Sequence, residues 1–192
     1  MKIKALLIAT ALAFGATSGW ADEEEDKAYT DTISKFQANA GIAPYFESAY
    51  GYGIWPTVAK GGLGIGASTG KGRIYRQGKV TGTSRVSDVS IGFQVGGQAY
   101  SQVVFFEDER AFNDFTSGNF EFSAQASAVA ITASAQAATS TEGNRATSGA
   151  GGPGEAVGGG YTKGMQVFTL AKGGLMYEAA IAGQKYSYKP IE

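Results

Sequence analysis

The sequence predicts an α+β fold, with N-terminal helices packed on a mostly antiparallel, glycine-rich sheet that is twisted or barrel-like. Tyr29, Ile33, Phe36 and Ala40 recur at helical spacing near the N-terminus. Phe120, Phe122, Ala124, Ala126 and Ala128 alternate with Glu121, Ser123, Gln125 and Ser127, the period of a half-buried strand. Glycine fills 29 of 192 positions. That is roughly twice the usual share of about 7%, which suits bent strands and tight turns better than long helices.

The first segment is an address. Lys2 and Lys4 precede an apolar run over residues 5–14, then small residues, then Asp22-Glu23-Glu24-Glu25-Asp26. This is the pattern of a Sec-type signal peptide over residues 1–21, cut after Ala21, with cleavage after Ser18 as the alternative. Ten apolar residues fall short of the ~20 a membrane span needs. No cysteine follows to accept a lipid, so the protein is expected in the periplasm or outside the cell. Removing residues 1–21 leaves 192 − 21 = 171 residues, with 16 − 2 = 14 basic and 17 acidic residues and a net charge of −3. Residues 22–27 then read as a solvated acidic tail, and residues 28–192 as one domain.

A helix over residues 29–40 stops at Gly41, and a short second helix begins at Pro44 with Tyr45, Phe46 and Ala49 on one side. From Ile54 the chain turns strand-like. Residues 73–76 and 80–83 flank Gln77-Gly78-Lys79, a hairpin signal. Residues 89–106 read as one long strand or two joined at Gly96-Gly97. Residues 107–115 read as a helix, since Ala111, Phe112 and Phe115 share a face and acids crowd its first turn. The alternating strand from Phe120 changes phase at Ile131, so a bulge is expected at Val129-Ala130. Residues 141–160 hold eight glycines and read as a mobile loop. Residues 165–170 and 175–181 make a closing pair of strands.

The chain has no cysteine and no histidine. Disulfides, thiolate nucleophiles, Cys or His metal sites and imidazole acid–base chemistry are therefore excluded. No metal or cofactor is expected. Two glycine-rich decoys also fail. A P-loop ending at Gly70-Lys71 would need glycine at 65 and Ser or Thr at 72, where the chain has Ile65 and Gly72. A dinucleotide fingerprint from Gly64 would need glycine where Thr69 stands. A hydrolase using Ser or Thr with Lys60 or Lys172 as base lacks a marked nucleophile, so no enzyme is expected.

Thr57-Val58-Ala59-Lys60-Gly61-Gly62-Leu63 and Thr169-Leu170-Ala171-Lys172-Gly173-Gly174-Leu175 agree at six of seven positions, 112 residues apart. The echo suggests two related strand–turn–strand units that present Lys60 and Lys172 at equivalent turns. Charge is also uneven. Between Glu47 and Asp88 there is no acid, while Lys60, Lys71, Arg73, Arg76, Lys79 and Arg85 all fall there, beside Tyr50, Tyr52, Trp55 and Tyr75. Cations interleaved with aromatics suit anionic headgroups. They would suit nucleic-acid phosphates too, but export argues against that partner. Arg73 and Arg76 lie three apart, so on a regular strand they face opposite ways.

Ala49-Tyr50-Gly51, Pro56, Val58, Lys60-Gly61-Gly62, Gly64, Gly66 and Gly70-Lys71-Gly72 resemble the opening of the SYLF domain. So do Ser87, Gly92-Phe93-Gln94-Val95-Gly96-Gly97-Gln98 and Lys172-Gly173-Gly174-Leu175. The resemblance covers about residues 30–188. It implies lipid or membrane-surface binding without enzymatic activity. In eukaryotic members an amphipathic N-terminal segment engages phosphoinositides, but the matching residues 28–40 here carry only Lys35 as a cation. The tryptophan and serine-proline found mid-domain in the family are replaced by Gly82-Thr83-Ser84-Arg85-Val86-Ser87-Asp88. Actin, another family theme, is not expected as a partner of an exported protein.

The expected function is therefore binding of anionic phospholipid or a membrane surface in the cell envelope. The candidate headgroup contacts are Lys60, Lys71, Arg73, Arg76, Lys79 and Lys172. A small outer-membrane β-barrel and an envelope scaffold that binds protein are the alternatives.

Overall fold

The computed structural model describes residues 18–63, 65–91, 96–122, 127–131, 160–172, 179–180 and 183–191. Helices α1 (Ser18–Gln37) and α2 (Ala43–Ser48) come first, followed by β1 (Gly51–Leu63), β2 (Ile65–Arg76), β3 (Lys79–Ile91) and β4 (Gly96–Phe106). Then come α3 (Glu109–Thr116), β5 (Asn119–Glu121), β6 (Ser127–Ile131), β7 (Met165–Ala171), β8 (Ala179–Ala180) and β9 (Lys185–Pro190). The strands join in the order β5-β9-β3-β2-β1-β4-β7-β6-β8. Every pairing is antiparallel except β6 with β7. The α+β fold predicted from periodicity is the fold observed.

Of the four residues spaced for one face, Tyr29, Ile33 and Phe36 go inward, whereas Ala40 lies beyond the end of α1 and is exposed. Tyr29 and Phe36 are buried and Ile33 packs beside them. The helix stops at Gln37, and the Asn39 side chain accepts a hydrogen bond from the Gly41 amide at 2.9 Å, turning the chain into α2. Pro44 sits in the first turn of α2, where its missing N–H costs nothing. The acidic run expected as a tail continues α1 as exposed helix. Glutamate is a good helix former, and Asp26 and Glu25 reach a partner on the sheet.

Both faces of the sheet are covered where the helices lie. Under α1 and α2 sit Ile54, Tyr75, Val103, Phe105 and Phe168. On the opposite face, Trp55, Ile74, Val104, Phe106 and Tyr186 pack with Phe112 and Phe115 of α3. Asp108 caps α3 by accepting from the Ala111 amide at 2.7 Å, contributing about 1 kcal/mol. Pro56, which cannot donate to a ladder, coincides with a register break between Ile54 and Thr57. Its carbonyl is taken by the Ser101 hydroxyl at 2.9 Å.

The sheet curls. Tyr186 on β9 reaches Gln102 on β4, O to Oε1 3.0 Å, although β3, β2 and β1 separate those strands in the sheet. Aromatic bulk and amide groups fill the interior. The Trp55 and Tyr186 rings are 5.0 Å apart. Gln184 accepts from Gln102 at 3.1 Å and donates to the Tyr100 hydroxyl at 2.7 Å. Glycine is required at Gly72, where a Cβ would lie 2.4 Å from Trp55 Nε1.

Several expectations need correction. The β2–β3 turn is two residues, Gln77 (φ 52°) and Gly78 (φ 77°), because Lys79 already pairs with Arg76. This left-handed pair matches the twist of the flanking strands. The stretch at 89–106 is divided between β3 and β4, and Gly96 and Gly97 open β4, opposite Gly62 and Gly61 of β1. No bulge occurs at Val129-Ala130, since Val129, Ala130 and Ile131 run unbroken against β7. The phase change coincides instead with a change of partner, from β8 at Ser127 and Ala128 to β7. Strand β9 was not expected at all. The glycine-rich stretch 141–160, apart from Gly160, and residues 173–178 lie outside the described residues.

Candidate functional site

Strand alternation sorts the six candidate cations onto two faces. On β2, Lys71, Arg73 and Tyr75 point to the helix side, whereas Gly72, Ile74 and Arg76 point to the α3 side. Arg73 stacks on Tyr29 of α1 (4.2 Å to the ring centre) and Arg76 lies over Phe112 of α3 (5.8 Å). Lys79 pairs with Arg76 at the hairpin tip and shares its side. Lys60 follows Val58 on the α3 side, between Ser68 and Gln98. Lys172 is on the helix side and donates to the Thr57 hydroxyl at 2.7 Å. Lys60 thus lies within β1, Lys172 just beyond β7, and the two face opposite ways. They do not occupy the equivalent turns suggested by the sequence echo.

The helix side of β1, β2, β3 and β9 carries one continuous polar row beyond the edge of α1. Thr57 stands opposite Lys71, Lys71 opposite Arg85, and Arg85 opposite Ser187. Thr57, Lys71 and Arg85 are exposed. The adjoining positions Thr69, Thr83 and Ser87 are exposed hydroxyls, and Lys189 lies opposite Thr83. Neither Lys71 nor Arg85 has an acidic partner among the described residues. Lys185, on the same side, is 3.7 Å from Glu121.

Burial, and then the nearby ammonium of Lys35 on α1, push the Lys172 pKa below its ordinary value. Arg73 is different. Burial works against its charge, but the hydrogen bond and attraction from Asp26 outweigh this and hold its pKa above the usual value. Its Nη1 is 2.5 Å from Asp26 and its Nη2 3.6 Å from Glu25. Arg73 is thus occupied in docking α1, while Lys71, two residues away on the same face, is open.

No group of three or more potential metal ligands occurs among the described residues. The interior tyrosines are set against ionisation, not toward it. Burial pushes Tyr100 up to about 12, and Tyr186, enclosed completely, goes well above its usual value. What the geometry offers is a face of cations and hydroxyls on which Arg73 and Lys185 have acidic partners, whereas Lys71 and Arg85 have none among the described residues.

The family profile described as "Las17-binding protein actin regulator", Ysc84, matches residues 87–188, from β3 through β9. The chain belongs to the Ysc84 (SYLF) family. A relative, Beta cell expansion factor A of Aeromonas veronii, is 26% identical over 159 residues, covering 82% of this chain and 52% of its own length. The chain therefore spans about half the length of that relative.

Membership in the Ysc84 family was legible in the glycine and lysine motifs, but the composition of the basic face was not. Arg85 lies in the basic segment of the sequence without any mark that pairs it with Lys71. Lys189 belongs to the unexpected β9. The alternation of Tyr186 and Tyr188 with Lys185, Ser187 and Lys189 was the available signal for that strand.

Proposed function

We propose that this Ysc84-family protein binds anionic lipid headgroups at a membrane surface of the cell envelope, without catalysis, through the face built on Lys71 and Arg85. One observation carries the reading. Like charges directly opposite each other on paired strands destabilise a sheet, and here a lysine faces an arginine with no described carboxylate to offset it. An anionic surface removes that repulsion and gains about 1 kcal/mol per cation. Lys172 extends the row through Thr57. Lys60, Arg76 and Lys79 face the other side and do not meet the same membrane plane.

The packed interior favours headgroup contact over an acyl chain held inside the curl, since Trp55, Tyr186 and Phe115 interlock there. The exposed row of Thr57, Thr69, Lys71, Thr83, Arg85 and Ser87 also differs from the apolar outer band of a membrane-spanning barrel. Among the described residues no helix is long and apolar enough to cross a membrane.

Co-sedimentation with vesicles of phosphatidylcholine, alone or mixed with phosphatidylglycerol, at low and high salt tests the proposal. Binding that needs the anionic lipid and weakens with salt is expected. Equal binding to both vesicles would move the site to an apolar surface. Absence of binding to either would leave a scaffold whose partner is a protein.

A further inference from the structure

Arg73 is the natural continuation of the Lys71–Arg85 row. It lies two residues from Lys71 on the same strand and the same side, opposite Thr83, which is itself opposite Lys189. Its guanidinium already holds two oxygen anions from α1, one from Asp26 at 2.5 Å and one from Glu25 at 3.6 Å. Asp26 accepts a hydrogen bond from one terminal nitrogen and Glu25 lies in ion-pair range of the other, so both nitrogens that a phosphate group would engage already face negative charge.

We propose that Glu25 and Asp26 are a built-in counter-ion, occupying at Arg73 a subsite that a doubly charged phosphate monoester takes when the protein is ligated. This inference rests on the headgroup reading above and names the headgroup class. The exchange needs no unfolding of α1. The Asp26 and Glu25 side chains are 66% and 48% exposed, so they can swing into water, whereas Arg73 is only 22% exposed and stays in place under Tyr29. Tyr29, Ile33 and Phe36 anchor the helix independently of the two acids. Exposed ion pairs hold weakly in water, so a ligand carrying two negative charges beside Lys71 and Arg85 can displace them. A diester with one charge competes less well. The remaining acids of the run, Asp22, Glu23 and Glu24, lie exposed on the same helix end.

The test uses the purified protein with phosphatidylcholine vesicles containing either phosphatidic acid, a monoester, or phosphatidylglycerol, a diester. Glycerol 3-phosphate is added as a soluble competitor. The expected results are tighter binding to phosphatidic acid and a several-fold gain in affinity for both anionic vesicles in Glu25→Gln/Asp26→Asn. Arg73→Gln should abolish both that gain and the preference for the monoester. Competition by glycerol 3-phosphate would show that the phosphate group alone suffices, and its absence that the membrane surface is also needed. An unchanged or reduced affinity in the double variant, with its helical circular dichroism and melting temperature kept, overturns the inference while leaving the headgroup proposal standing. Loss of anionic binding in wild type and variant alike overturns the headgroup proposal itself.

Should α1 come loose in the double variant, the Arg73 Nε–H resonance of the unaltered protein decides. It should shift on titration with glycerol 3-phosphate or with phosphatidic acid nanodiscs. No shift at saturation with either would refute the subsite.

Discussion

Lys71 and Arg85 stand directly opposite each other on neighbouring antiparallel strands, both exposed, and no carboxylate accompanies either among the described residues. Their repulsion is a cost the free protein carries. Lys71→Glu turns it into an attraction, so chemical denaturation should show the variant more stable by ~0.2–1 kcal/mol. The same change should weaken binding to anionic vesicles by roughly tenfold or more, since reversing one charge loses about 2 kcal/mol near the surface. A variant that gains stability and keeps its vesicle affinity would separate the pair from the function.

Gly72 lies against the buried indole of Trp55, and an added Cβ would sit 2.4 Å from its Nε1. Gly72→Ala should therefore cost about 1–3 kcal/mol in urea denaturation and alter tryptophan fluorescence. Wild-type stability would mean that the indole has room to move aside.

The Tyr186 hydroxyl, fully buried, lies 2.6 Å from Gln184 Oε1 and 3.0 Å from Gln102 Oε1. Tyr186→Phe leaves these acceptors without that donor at an unchanged ring volume. The expected loss is about 1–3 kcal/mol, read from the shift of the denaturation midpoint. A neutral outcome would show that Gln102 and Gln184 satisfy each other unaided.

Burial raises the pKa of Tyr29 and of Tyr100 from 10.0 to about 12. Unfolded tyrosine releases its proton near pH 10, so above that point the unfolded chain binds fewer protons than the native one. The stability associated with these two groups is complete below about pH 10 and is lost as pH rises toward about 12. Absorbance at 295 nm should show late-ionising tyrosines that titrate together with the loss of circular dichroism. Titration of all ten tyrosines near pH 10 in a still-folded protein would contradict their burial.

Local periodicity carried much of the fold. The 29, 33, 36 spacing found the inner face of α1, and Ala111, Phe112 and Phe115 found that of α3. Those patterns are legible because a helix repeats its own geometry every turn, whatever it packs against. Strand β9 escaped because it is only six residues long and gains its order by lying between β3 and β5. The acidic run escaped because nothing in Asp22–Asp26 states that an arginine some fifty positions later will lie beside it.

The sequence by itself determined the family, the helix faces, the hairpin at Gln77-Gly78 and the surplus of cations between Glu47 and Asp88. Which cations meet was decided by tertiary structure, and by one residue. With Arg76 opposite Lys79, an unbroken hairpin would set Lys71 opposite Ser84. A register shift between Ile74 and Tyr75 inserts Thr81 and sets Lys71 opposite Arg85 instead. The Thr81 carbonyl is held from outside the hairpin, by the Tyr188 hydroxyl at 2.9 Å and the Ile191 amide at 3.1 Å. Because side chains alternate with every residue of a strand, that one extra residue swings Arg85 onto the face of Lys71 and Ser84 onto the other. The anion-binding face proposed here therefore depends on a bulge fixed by the last strand of the chain.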